Sequence, residues 1–208
     1  MTQIYLISPP QLNPLDFVSF SQELTKVVKT NKIPIFQLRL KNIAIKDYKK
    51  IAQELKKICD DHNVLFFIND HANLALEIKA SGLHLGIDDI NETQQITLLK
   101  KSNPHLLIGA SCYDSKKLAL QAQEQGADQI SFGAFFASPT KISRGSPSPD
   151  LIDWAKINLN LPIIAIGGIN QQNYQILVKH KIDYLALISY VWNHPISPVE
   201  AINSLDLN

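Results

Sequence analysis

An excess of charge of either sign is missing from this chain. Lysine and arginine total 20 against 19 aspartate and glutamate, a net charge of +1. No bulk field therefore recruits nucleic acid or an anionic membrane, and neither partner is expected. Any anion site has to be local. Cysteine is scarce: Cys59 and Cys112 lie far apart and form no CxxC or metal-ligand spacing. That fits a reducing compartment, with the cytoplasm as the expected location. No glycine precedes Gly82, and neither GxGxxG nor GxxxxGKS/T occurs. The Gly-rich turns that normally follow an early strand of an open, doubly wound nucleotide-binding sheet are thus absent. The opening "MTQIYLISPP" carries neither a basic n-region nor an apolar segment of transmembrane length. It reads as a first strand rather than a signal peptide, and export is not indicated.

What is present is alternation. Eight short apolar runs read as strands: Ile4 to Ile7, Ile35 to Leu40, Val64 to Ile68, Leu83 to Leu85, Leu106 to Ala110, Gln129 to Phe132, Ile163 to Ile166 and Tyr184 to Ile188. Longer amphipathic stretches separate them. In Ile45 to Asp61, for example, Tyr48, Ile51, Ala52, Leu55 and Ile58 keep helical spacing while Lys and Gln fill the other face. Strands alternating with helices imply a parallel sheet. A closed barrel and an open sheet both satisfy that pattern, but eight strands and no nucleotide turn favour the barrel. The expectation is an α/β fold, a (β/α)8 TIM barrel, as one domain over residues 1–208.

In such a barrel the C-terminal strand ends open on one face, so polar residues placed just there converge. The chain puts polar groups at nearly every such end. In "QLRLK", alternation sends Gln37, Arg39 and Lys41 to one face, two cations and an amide suited to an anion. An ion-paired strand terminus is the plainer alternative. "FFIND" ends a strand buried on both faces in Asn69 and Asp70, and "HLGIDD" brings Asp89 to the end of the next strand. Two such carboxylates need a cation or a proton between them, and oxygen-rich sites suit Mg²⁺. Capping of the following helices by Asp70 and Asp89 is the alternative. Gly167-Gly168 ahead of "INQQNYQILVKH" brings backbone N–H groups close to a bound phosphate at a helix start, or simply closes a tight turn. His84 reads as a satisfied core histidine rather than a general base. His71 falls near a helix start and is assigned no role.

Taken in order, "QLRLK", "IND", "GLHLGIDD", "GASCYDS", "GADQISFGAFF", "SPTK", "AIGGI" and "LALIS" resemble the thiamine phosphate synthase family, from about Tyr5 to Ser189. The resemblance implies coupling of 4-amino-2-methyl-5-(diphosphooxymethyl)pyrimidine to 4-methyl-5-(2-phosphooxyethyl)thiazole, with release of diphosphate and help from Mg²⁺. Both partners are small molecules, and the sequence leaves a homo-oligomer open. It further implies Gln37, Arg39, Lys41 and Asn69 at the pyrimidine diphosphate, Asp70 and Asp89 on the metal, Ser111 on the pyrimidine and Lys141 on its diphosphate. Ser138, Thr140, Gly168, Ile188 and Ser189 would hold the thiazole phosphate. Arg39, Lys41 and Lys141 would carry the catalytic charge. The chain departs from the family in Ile87, where glutamine is usual, and in Ala134 and Ala137, where proline is usual. Two other readings remain: a TenI-type thiazole tautomerase, which has no need of a diphosphate cluster, and a non-catalytic barrel that binds thiazole phosphate.

Overall fold

The computed structural model describes residues 1–12, 16–86, 95–137 and 146–207. Eight parallel strands run β1 Gln3–Ile7, β2 Ile35–Leu38, β3 Leu65–Asn69, β4 Gly82–Leu85, β5 Leu107–Ser111, β6 Gln129–Gly133, β7 Ile163–Ile166 and β8 Tyr184–Leu187. Each pairs with its sequence neighbour and β8 pairs with β1, closing a (β/α)8 barrel. The intervening helices are α1 Phe17–Val28, α2 Ile45–Asp60, α3 Ala72–Glu77, α4 Gln95–Ser102, α5 Lys116–Glu124, α6 Asp150–Asn158 and α7 Tyr174–Lys179. Two short ones, α8 Ser189–Trp192 and α9 Pro198–Asn203, follow β8.

The strands are apolar on both faces because both faces are covered. Outward residues such as Ile4, Leu6, Phe36, Leu38, Phe66 and Ile68 join the helices in one cluster. Inward residues Tyr5, Ile7, Ile35, Phe67, Ile164 and Ala186 form a second cluster inside the barrel. This is the layered interior that a closed parallel barrel requires. The apolar half of that interior comes from β1, β7 and β8 and from the lower ends of β2 and β3. On the β4 to β6 side the inward positions include His84, Gly109, Gln129, Ser111 and Ser131, of which His84, Ser111 and Ser131 border the mouth.

Helix α2 shows how the sequence pattern becomes packing. Tyr48, Ile51, Ala52, Leu55 and Cys59 are buried, while Ile58 is only partly covered. Cys59 stands four residues beyond Leu55 and so continues the buried stripe, which displaces Ile58 to its margin. Asp47 in the first turn and Lys57 in the last complement the helix dipole.

Two strand ends differ from the periodicity. The apolar run suggests that β2 continues to Leu40, yet it ends at Leu38. Beyond that point the backbone leaves the ladder for the end of β1: Arg39 N donates to Ser8 Oγ at 2.9 Å and Lys41 N to the Pro10 carbonyl at 2.8 Å. At β3 the ladder runs one residue further than expected, to Asn69. Asp70 N then donates to the His84 carbonyl at 2.9 Å.

Candidate active site

A cavity of about 410 Å³ opens at the C-terminal ends of the strands. Gln37, Arg39, Lys41 and Asn69 border it on the β2–β3 side. Ser111, Gly168, Ile188 and Ser189 border it elsewhere. A second cavity of about 470 Å³ lies at the opposite end of the barrel, lined by Thr2, Gln3, Lys32, His62 and Leu205 among others. None of the candidate residues borders that one.

The β2–β3 wall is a connected polar chain. Gln37 is almost fully buried, and its Nε2 donates to Asn69 Oδ1 at 2.8 Å; Asn69 Nδ2 in turn donates to Asp70 Oδ2 at 2.5 Å. The amides therefore have fixed orientations; Asp70 is exposed and anchored to this wall through Asn69, but it is not among the residues that border the cavity. Its backbone is left-handed, with φ of 63°, a conformation that Asp and Asn adopt more readily than most residues. Helix capping by Asp70 is not realised, because His71 takes the N-cap position of α3 and no side-chain cap bond forms. Arg39 and Asp70 share this end of the barrel. Burial pushes the Tyr48 phenol well above its ordinary value, the Asp70 carboxylate adds to that shift, and the Arg39 guanidinium opposes it.

The turn after β7 departs from expectation. Helix α7 begins only at Tyr174, with Asn173 as its N-cap, so Gly167 and Gly168 lie in a loop and not at a helix start. Asn173 Nδ2 and Asn170 Nδ2 donate to the Gly168 carbonyl at 2.9 and 3.3 Å. Glycine is needed there for room. A Cβ on Gly168 would stand 2.5 Å from the Ala137 carbonyl oxygen, and φ at Gly168 is 62°. The start of the β6 loop is tied to this turn by Phe135 N to the Ile166 carbonyl at 3.0 Å and Phe136 N to the Gly167 carbonyl at 3.1 Å. Between Ala134 and Ala137 the loop is thus held by backbone bonds to the end of β7.

His84 is a residue that the pattern undervalues. It lines the cavity, and its Nε2 lies 2.9 Å from Ser111 Oγ, which is 3.3 Å from Ser131 Oγ. Nδ1 has no hydrogen-bond partner among the described residues, so the ring is only half satisfied. Burial, with the Arg39 guanidinium adding, lowers its pKa to about 4. Below an unfolded value of about 6.5 the denatured chain takes up a proton that the native ring refuses, so stability falls as pH drops from 6.5 towards 4. The expected loss is on the order of 2–3 kcal/mol between pH 7 and pH 4.5. Urea unfolding at both pH values should show it in the parent and not in His84→Gln. Equal losses in the two proteins would refute it.

Tyr113 and Ser131 also line the cavity and carried no sequence signal beyond their place at strand ends. Asp89, Ser138, Thr140, Lys141 and Ile87 lie outside the described residues. Among the described residues, no group of three or more His, Cys, Asp or Glu is placed to hold a metal ion. Nor is any helix among them long and apolar enough to cross a membrane.

Comparison with known proteins bears on the whole barrel. The family model described as thiamine monophosphate synthase matches residues 4–191. A thiamine-phosphate synthase of Pelagibacter ubique is 39% identical over 203 residues, 97% of this chain and 95% of that protein. One from Rhodospirillum centenum is 32% identical over 200 residues, 96% of this chain and 94% of that protein. The solved thiamine phosphate pyrophosphorylase from Pyrococcus furiosus superposes with a TM-score of 0.81 at 28% identity, covering 98% of this chain and 93% of that one. A closed barrel, a mouth lined by cations and amides, and similarity over nearly the full length agree: the chain belongs to the thiamine monophosphate synthase family, whose members are transferases acting on pyrimidine and thiazole phosphates.

Proposed function

We propose that the mouth of this barrel binds 4-amino-2-methyl-5-(diphosphooxymethyl)pyrimidine against β2 and β3. The phosphate of 4-methyl-5-(2-phosphooxyethyl)thiazole sits towards β6, β7 and β8. The observation that carries this reading is the meeting of Gln37, Arg39, Lys41 and Asn69 on one wall of the cavity that Ser111, Gly168, Ile188 and Ser189 also border. Two cations and two ordered amides match a diphosphate. Backbone freed of a side chain at Gly168 and the Ile188-Ser189 turn match a smaller phosphate, a role that the family resemblance extends to Ser138 and Thr140.

The chemistry needs positioned charge rather than a nucleophile. The bond between the pyrimidine methylene carbon and the diphosphate oxygen breaks, and its electron pair leaves with diphosphate. The thiazole nitrogen then donates its lone pair to the pyrimidinylmethyl cation and forms the new C–N bond. Arg39 and Lys41, with Lys141, oppose the charge that develops on the departing group. Ser111 contacts the pyrimidine. Cys112, beside Ser111, is fully buried and its thiol is pushed up to about 12, so it supplies no thiolate.

Hard oxygen donors at Asp70, with Asp89, fit Mg²⁺. When bound there, the ion would add positive charge next to the diphosphate oxygens. A thiazole tautomerase would have no use for this cluster. An endpoint assay with both substrates is expected to yield thiamine phosphate with Mg²⁺ and at least tenfold less after chelation. Failure to form product with Mg²⁺ would overturn the reading. Rates unaffected by chelation would remove the metal from it.

A further inference from the structure

His84, Gly109 and Gln129 stand side by side on β4, β5 and β6: His84 is in register with Gly109, and Gly109 with Gln129. The middle member of this row has no side chain, so the two flanking groups lean over it. A Cβ on Gly109 would stand 2.7 Å from His84 Nδ1 and 2.9 Å from Gln129 Nε2. Both side chains are more than nine-tenths buried, and neither nitrogen has a hydrogen-bond partner among the described residues. The Tyr5 hydroxyl is also buried and lies near the same Gln129 side chain, which opposes the burial-driven rise of the phenol's pKa; an amide nitrogen carries two hydrogens, so one remains for the His84 side.

We propose that Gln129 is a positioning residue: acting through His84, it makes the Ser111 hydroxyl a hydrogen-bond donor to the bound pyrimidine. This rests on the reading that Ser111 faces that substrate. An amide nitrogen only donates, so the group offered to His84 Nδ1 calls for a lone pair there. Whether the amide turns slightly to meet Nδ1 or one buried water accepts from it and donates onward, the polarity is the same. Burial leaves each unmet group costing about 1–3 kcal/mol, which drives the contact to close. The ring proton then resides on Nε2 and is donated to Ser111 Oγ, 2.9 Å away. Ser131 Oγ donates to the Ala110 carbonyl at 3.4 Å. The Ser111 hydrogen is therefore left for the long contact to Ser131 or, better, for an acceptor in the cavity. Ring nitrogens of an aminopyrimidine are such acceptors. With the opposite tautomer, Ser111 would donate back to His84 and offer the ligand only lone pairs.

The test is the tautomer of His84 in ¹⁵N-histidine-labelled, ligand-free protein, its resonances identified by their loss in His84→Gln. The parent ring is expected to be protonated on Nε2, and Gln129→Met, which keeps length and removes the donor, to give a mixture of tautomers. In the same variant KM for the pyrimidine diphosphate should rise about twofold, because a mixture leaves about half of the protein in the tautomer that donates to the ligand, with kcat unchanged. A parent ring protonated on Nδ1 overturns the proposal however the variant behaves. An unchanged tautomer in Gln129→Met, or a changed one with the parent KM, overturns it as well. Absence of thiamine phosphate from the parent would instead strike the functional reading, and the tautomer result would stand apart from it.

Discussion

Arg39→Ala is expected to lower kcat about 10²–10³-fold, the usual loss when a group aimed at developing charge is removed from a water-poor site. The side chain is half-buried at the end of β2 and borders the cavity. Its backbone is fixed independently by the N–H to Ser8 Oγ. Truncation should therefore leave the strand end in place and change stability by no more than about 1 kcal/mol. Diphosphate release under saturating substrates, read beside thermal unfolding, separates the two effects. A rate within a factor of three of the parent would take Arg39 out of the leaving-group site. Arg39→Lys should recover only part of the loss, since a point charge replaces a planar fork.

Asp70→Asn carries the second large effect. Asparagine tolerates the left-handed backbone at this position, where φ is 63°, and its side-chain oxygen can still accept from Asn69. The substitution therefore removes a charge while sparing the loop, which alanine would not do. Turnover is expected to fall about 10²-fold, and the Mg²⁺ concentration giving half-maximal rate to rise at least tenfold. Titration of activity with Mg²⁺ measures both. A parent-like Mg²⁺ curve would show that Asp70 serves only to anchor Asn69, and the metal would have to rest on Asp89 and substrate oxygens.

The first prediction depends on one feature of the barrel, the way the end of β2 is held. The register of β1 against β2 pairs Ile7 with Gln37. Beyond that pair the chain is tied by side-chain and carbonyl acceptors instead of by ladder bonds. Release from the ladder lets Arg39 and Lys41 both reach the cavity, and burial of Leu38 and Leu40 holds the segment down.

The sequence alone settled what is local. Alternation of short apolar runs with amphipathic stretches such as α2 implied a parallel sheet, and the count of eight runs without a nucleotide turn favoured its closure. The position of polar residues at strand ends identified the working face, because the C-terminal ends of parallel strands must open on the same side. Where an element stops was less legible. Leu40 continues an apolar run, but tertiary bonds from Ser8 and Pro10 draw the backbone away after Leu38. Gly167-Gly168 resembles a helix entry, but close approach of the Ala137 and Phe136 carbonyls makes it a packed loop.

Only the tertiary structure decided which residues share a layer. Nothing in the sequence says that His84, Gly109 and Gln129, from three strands, form one row. Register is fixed by how the whole barrel closes and twists, and a shift of one residue would send the His84 and Gln129 side chains outward. Local chemistry made His84 look like a core histidine; a glycine on the neighbouring strand, opposite an amide on the next, is what gives its ring a direction.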